Sequence, residues 1–318
     1  MKAVTYETYG SPDVLQLTEL PRPEPKPGEI LVRIRATSVT SGDARMRAFD
    51  IPAPFRIPAR FVLGWPTPKN PVLGYEFAGE VEAIGAGVSR FKPGDRVYGG
   101  APGCYAQYRT IAETGPVAKI PDGLDFEDAA ALPFGVTTAM HFLRAGGVGP
   151  GQSLLIIGAS GCVGAYGVQL AKHMGAVVTA VCSGRNADFV QSLGADRIID
   201  YTSDAYLGSG PYDVVMDTVG AINFPQARPM LKRGGAFLNV VMSTADMLAT
   251  LSPFKDGRRI VGGSFDVTQA MMLGLNDLVV GEAIAPVVDR TYPLEEIRDA
   301  HAYVDTKRKR GAVVVTVS

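Results

Sequence analysis

Apolar positions change their rhythm near residue 126. Before it, residues 1–9, 14–20, 29–39, 72–87, 95–99 and 104–111 read as short strands, separated by Pro- and Gly-rich turns such as Lys92-Pro-Gly-Asp95. From Phe126 the spacing turns helical, over Asp128–Leu132 and again over Thr137–Leu143. Strands predicted at 154–157, 177–182, 197–200, 213–217 and 236–241 then alternate with helices after residue 162, near 186–193 and over 224–232. That alternation predicts a parallel sheet covered on both faces. Beyond about residue 260 the pattern loosens into one strand, two helices (268–280 and 294–304) and a closing strand, Ala312–Val317. The expected fold class is α/β, with a β-rich domain (1–124) interrupted by a doubly wound parallel-sheet domain (125–262) and completed by 263–318. An active site is then expected in the cleft between domains, over the carboxyl ends of the parallel strands.

The most informative stretch is Ser153–Lys172. The run Leu154–Ile157 enters a turn with Gly158, Gly161 and Gly164, followed by helical spacing at Val163, Val168, Leu170 and Ala171. Strand, tight turn and open helix N-terminus make a site for a pyrophosphate, contacted by Ser160, Gly161, Cys162, Val163 and Gly164. A second apolar run, Val177–Val181, completes a βαβ unit. About 20 residues past the glycines, where an NAD site carries Asp or Glu, stands Ser183-Gly184-Arg185. A hydroxyl and a planar cation suit a ribose 2′-phosphate, so the expected coenzyme is NADP(H); the alternative leaves Arg185 as a solvated residue opening the next helix.

With 46% hydrophobic and 20% charged residues and a net charge of −1, the chain has an ordinary globular composition and no signature of a nucleic-acid or membrane partner. The uncharged stretch Ala145–Ala171 is too rich in glycine to read as a membrane span. The basic run Lys307–Arg310 reads as a solvated turn. Cys104, Cys162 and Cys182 have no metal-ligand spacing and predict no disulfide framework. Strand-like sequence from Lys2 to Tyr6 predicts no signal peptide, and the expected location is cytoplasmic.

Several segments carry a resemblance over essentially the whole chain: Met1-Lys-Ala-Val; Pro71-Val-Leu-Gly-Tyr-Glu-Phe-Ala-Gly-Glu-Val; Val88–Val97; Ala130-Ala-Leu-Pro; Gly158–Gly164; Leu193-Gly-Ala-Asp196; and Asp213–Gly220. The chain resembles the zinc-independent branch of the medium-chain dehydrogenase/reductase superfamily, close to the zeta-crystallin-like quinone oxidoreductases. The resemblance implies a GroES-like catalytic domain split by a Rossmann domain, and a homodimer joined through the Rossmann sheets or a dimer of such dimers. It also implies that the three places holding catalytic zinc in alcohol dehydrogenases are here Thr40, Tyr75 and Phe134, poor ligands all, and that the four-cysteine structural zinc lobe is missing after Val97. Cys162 stands where relatives usually carry glycine, which predicts weakened pyrophosphate binding; a redox switch beside the coenzyme is the alternative.

Without a metal, the expected reaction is hydride transfer from NADPH to a quinone or an α,β-unsaturated carbonyl, which spreads the incoming charge by conjugation onto oxygen. The expected catalytic residues are Thr40, Tyr75 and Asp43. Thr40 and Tyr75 are candidate donors to the developing oxyanion, and Asp43 either anchors its loop or relays a proton. Tyr75 is alternatively a half-buried core residue. Phe49, Phe55, Phe61 and Trp65, in a segment poor in regular pattern, are expected to contact substrate or to pack beneath it. The stretch Phe49-Asp-Ile-Pro52 lacks the tyrosine of the related enoyl-thioester reductases. By resemblance, Thr138 and Phe265 are placed near the nicotinamide, Tyr201 near the adenosine 2′-phosphate, Val219 near the adenosine half, and Val241 and Ser243 at the end of the fifth strand. His141 and His301 are assigned no catalytic role. Reduction of simple ketones or aldehydes, and a coenzyme-binding crystallin-like protein with little turnover, are the alternative readings.

Overall fold

The computed structural model describes residues 1–203, 205–250 and 255–318, which form two compact units: Met1–Phe134 with Val267–Ser318, and Gly135–Asp266. The first unit is built on a seven-stranded sheet. Along it run Val288–Pro293, Ala312–Thr316, Glu29–Val39, Glu76–Ile84, Arg96–Gly100 and Val117–Lys119, while Tyr108–Ala112 also pairs with Glu29–Val39. Every pairing is antiparallel except that of Val288–Pro293 with Ala312–Thr316. The register Val313↔Val39 sets the C-terminal strand beside one from the first forty residues, which is why the chain returns to this unit. Alternation explains the central strand: Ile30, Val32 and Ile34 are buried and join Phe77, Val81, Val97, Val313 and Val315 in one core. The helix Phe126–Ala130, capped by the Asp125 carboxylate accepting from the Asp128 amide at 2.7 Å, buries Ala129 and Ala130 in this same unit.

The second unit carries a six-stranded, wholly parallel sheet in the order Arg197–Asp200, Val177–Cys182, Ser153–Ile157, Tyr212–Asp217, Leu231–Asn239, Arg259–Gly262. Counted from the glycine-turn strand, this is the doubly wound order 3-2-1-4-5-6. Leu155, Ile157, Val181, Val215 and Phe237 make its core, as continuous apolar runs buried on both faces should.

Three elements differ from the expectation drawn from spacing. The segment after Val39 is not loop: helices Ser41–Ala48 and Arg56–Leu63 occupy part of it. The first is nucleated by a capping box, in which the Thr40 hydroxyl accepts from the Asp43 amide and the Asp43 carboxylate accepts from the Thr40 amide, and weak amphipathicity hid it. The helix expected over 224–232 is only Phe224–Ala227, because Pro229 forces a single tighter turn, Arg228–Met230. The following strand therefore begins at Leu231, five residues before the expected 236.

Arg47 shows how the first unit is locked. Its buried guanidinium donates to the Gly10 carbonyl (3.0 Å), to His301 Nδ1 (3.2 Å) and to Asp305 (2.7 Å). Burial and the adjacent guanidinium push His301 down to about 3, so this imidazole is neutral near pH 7, a packing residue set edge-on to Tyr105. Arg47→Ala should cost about 3 kcal/mol of stability, because it strands three acceptors in or near the core. Urea denaturation checks this, and a loss under about 1 kcal/mol would contradict it.

Candidate active site

In the first unit the candidate residues converge on a carboxylate that spacing did not single out. Glu76 is fully buried at the start of its strand. Its carboxylate accepts from the Ser38 hydroxyl and from the Phe134 amide (2.6 Å), while its carbonyl accepts from the Thr37 hydroxyl (2.6 Å). Three segments, ending at Ser38, at Tyr75 and at Phe134, are thereby held together. Burial raises Glu76 to about 7, against the pull of its two donors. The visible signal was an acid at the head of a strand, before the apolar pair Phe77-Ala78.

Thr40 and Asp43 lie beside this centre. The Thr40 hydroxyl is buried and donates to Asp43 Oδ2 at 2.6 Å, so its proton already has an acceptor. Asp43 is buried as well; desolvation raises its pKa, against hydrogen bonds from Thr40. The buried Tyr105 hydroxyl faces Asp43 without reaching good hydrogen-bond geometry. These contacts describe an anchored loop. Tyr75 is half-buried; its ring lies over Gly100, where a Cβ would come within 2.4 Å of it. Gly42 stands between Thr40 and Phe134, its missing Cβ 3.3 Å from one side chain and 3.8 Å from the other. Thr40, Tyr75 and Phe134 thus border one region of this unit. Phe49 and Trp65, with Tyr9, Arg56, Ile57 and Arg60, line a cavity of about 450 Å³, and Phe61 and Trp65, with Arg60 and Lys69, line a second of about 450 Å³; the Phe61 and Trp65 rings are both largely exposed.

In the second unit the glycine turn is packed as a phosphate site requires. Gly158 has φ +78° and sits under Thr218 and Val219, where a Cβ would come within 2.7 Å of both. Gly164 brings its helix against the turn, a Cβ there lying 2.2 Å from the Gly158 carbonyl. The helix Cys162–His173 begins at Gly161 with no side chain capping it, which leaves its start open to an anion. These features fit a dinucleotide pyrophosphate. The Cys162 side chain turns away into packing, its Sγ 2.7 Å from where Gly135 would carry a Cβ.

The remaining candidates follow the ends of the parallel strands, except Thr138, which lies in the helix Pro133–Gly146. Ser160 is tied across the turn by the Asn186 side-chain amide, which donates to its hydroxyl at 3.0 Å. Ser183 is buried, while Arg185 and Tyr201 are exposed. Val219 is exposed, its loop ordered by Asp217, whose carboxylate accepts from the amides of Val219, Gly220 and Ile222. Val241 lies 3.2 Å from where Gly220 would carry a Cβ. The Ser243 hydroxyl is committed to Asp246 (2.6 Å), capping the helix Thr244–Ala249. Thr138 is buried, and Phe265 stacks on His141 with centroids 4.1 Å apart and planes 6° from parallel. Asn186, Asp217 and Asp246 all act by hydrogen bonds to neighbouring loops, which spacing along a chain does not display.

Comparison with known proteins agrees with this architecture. Residues 26–122 match the alcohol dehydrogenase GroES-like domain, and residues 193–315 match the zinc-binding dehydrogenase family. The 2-methylene-furan-3-one reductase of Solanum lycopersicum is 33% identical over 99% of this chain and 79% of its own length. The chloroplastic NADPH-dependent alkenal/one oxidoreductase of Arabidopsis thaliana is 32% identical, again over 99% of this chain and 79% of its own. The solved quinone oxidoreductase of Coxiella burnetii superposes with a TM-score of 0.89 at 30% identity, over 100% of this chain and 99% of that one. The chain belongs to the medium-chain dehydrogenase/reductase superfamily. Within it, the relatives place the chain in the quinone oxidoreductase branch. Among the described residues of this superfamily member, no three His, Cys, Asp or Glu side chains gather as a metal site would need. No helix among them is long and apolar enough to cross a membrane.

Glu76 should leave a pH signature. Its folded value of about 7 exceeds the ordinary 4.5, so the native state holds the proton more tightly than the unfolded chain. Its contribution is complete below about pH 4.5 and is lost as pH rises through 7, a change of a few kcal/mol. Glu76→Gln keeps an acceptor for the Phe134 amide and should flatten that part of the stability–pH curve. An unchanged curve in denaturant titrations between pH 4.5 and 8 would refute the assignment.

Proposed function

We propose that this protein is an NADPH-dependent oxidoreductase that works without zinc and reduces quinones or α,β-unsaturated carbonyls. The observation that carries the reading is the donor set at Thr40, Tyr75 and Phe134. A hydroxyl already donated to Asp43, a phenol over Gly100 and a phenyl ring make a poor cage for a Lewis acid. A conjugated acceptor does not need one, because its own π-system carries the incoming charge to oxygen.

Bound NADPH supplies the hydride. The turn residues Ser160, Gly161, Cys162, Val163 and Gly164 bind its pyrophosphate through the open helix start, and Ser183, Arg185 and Tyr201 take the adenosine 2′-phosphate. Val219, Val241 and Ser243 contact it through their loops, and Thr138 and Phe265 orient its nicotinamide end. Tyr75 and Thr40 are the candidate donors to the developing oxyanion, and Asp43 acts by holding Thr40 in place. The chain works in the cytoplasm as a homodimer. The names of the alkenal/one and quinone oxidoreductases among its relatives support the acceptor class.

NADPH oxidation measured against a panel of quinones, enones and simple ketones tests the proposal. Turnover should be at least about tenfold higher with the conjugated acceptors, a difference of roughly 1.4 kcal/mol in barrier, and unaffected by chelators. Tyr75→Phe should lower kcat by roughly 100-fold while NADPH affinity stays unchanged. Loss of activity on chelation, or a preference for simple ketones, would overturn the reading. Arg185→Ala should weaken NADPH binding about tenfold and leave NADH binding unaltered, as titration of intrinsic fluorescence would report.

A further inference from the structure

The corner expected to receive the ribose 2′-substituent already contains an anion. Strand Arg197–Asp200 is the edge neighbour of Val177–Cys182, in parallel register with Asp200 opposite Cys182. Both strands end together, so Asp200 stands beside Ser183-Gly184-Arg185. Its Oδ2 lies 2.3 Å from where Gly184 would carry a Cβ, so the carboxylate is pressed against that glycine, and a larger residue there would have to displace it. Oδ1 accepts from the Thr202 amide (2.9 Å) and the Thr202 hydroxyl (2.8 Å). The Gly184 amide and the Ser203 side chain also donate to this carboxylate, and together with Thr202 they hold its pKa below the ordinary range. Amides converging on an anion at a strand end are what a phosphate monoester would seek, and here an internal carboxylate has them.

We propose that Asp200 is a specificity-determining residue for the coenzyme, opposing Arg185 at the ribose 2′-position so that the protein accepts NADH alongside NADPH. The inference rests on the assignment of this corner to the adenosine ribose made above, and it deepens that reading. A 2′-phosphate approaching Ser183 and Arg185 gains the guanidinium but meets a fixed negative charge that has filled the neighbouring amides. A 2′-hydroxyl meets an acceptor to which it can donate. The two charges thus pull the preference in opposite directions, and the preference is the small difference between them.

The test compares binding of NADPH, NADH, 2′,5′-ADP and 5′-AMP to the full chain and to Asp200→Asn by calorimetry, at low and high salt. Asparagine keeps the Oδ1 acceptor for Thr202 and removes the charge. NADPH and 2′,5′-ADP should bind about tenfold more tightly to the variant at low salt, NADH and 5′-AMP should change less than about twofold, and high salt should shrink the gain. Asp200→Glu, which restores the charge, should return the ratio toward that of the parent. A local structural role alone would weaken all four ligands in parallel, and that result, or an unchanged NADPH-to-NADH ratio in a variant with parental thermal stability, overturns the inference. Failure of the parent chain to bind either dinucleotide would remove the coenzyme assignment itself, and this inference with it.

Discussion

A buried acid that has to be satisfied by its neighbours organises the first unit. The Glu76 carboxylate collects the hydroxyl of Ser38 and the amide of Phe134, and its own carbonyl collects Thr37. Each donor belongs to a segment that ends at a candidate residue: Thr40 follows Ser38, Tyr75 precedes Glu76, and Phe134 supplies its own amide. Leaving a carboxylate unpaired in such a core is expensive, so the three segments are obliged to meet there. Tyr75 precedes Glu76 directly, and its ring lies over the bare Cα of Gly100.

The second unit obeys a different constraint, the close approach of backbone to backbone around the glycine turn. Gly158 is left-handed and overlain by Thr218 and Val219, while Gly164 lets the helix reach the Gly158 carbonyl. Carboxylates then tune the loops around it. Asp217 orders the one bearing Val219, Asp246 the one bearing Ser243, and Asp200 the corner at Gly184. The helix start stays open because the turn's own polar groups are satisfied elsewhere, as Ser160 is by Asn186.

The parallel-sheet unit was legible because its signals are local and dense: short apolar runs, a glycine turn, and helices between strands. Spacing located all six of its strands but the last with useful accuracy, and erred where proline overrode helical periodicity at Pro229. The first unit was legible as strands but not in detail. The helix Ser41–Ala48 was missed because its evidence is a capping box at Thr40 and Asp43, not an apolar stripe. Glu76 went unmarked for a related reason, since a lone acid means little until a fold gathers its donors. The apolar candidates Phe49, Phe61 and Trp65 were chosen by type alone, and the structure sets each against a cavity of the first unit while leaving Phe61 and Trp65 largely exposed.

The strand Ala312–Thr316 lies between Val288–Pro293 and Glu29–Val39. During synthesis this order matters. The contiguous stretch 135–266 has its whole sheet in hand once it has left the ribosome, while the first unit's sheet waits for Val313, 274 residues (313 − 39) downstream of its partner Val39. Until then the edge of Glu29–Val39 that receives this strand stands bare, a row of unpaired backbone groups in a nascent chain. The order of translation therefore makes the uninterrupted unit the early folder and the interrupted one the point where chaperones have most to protect.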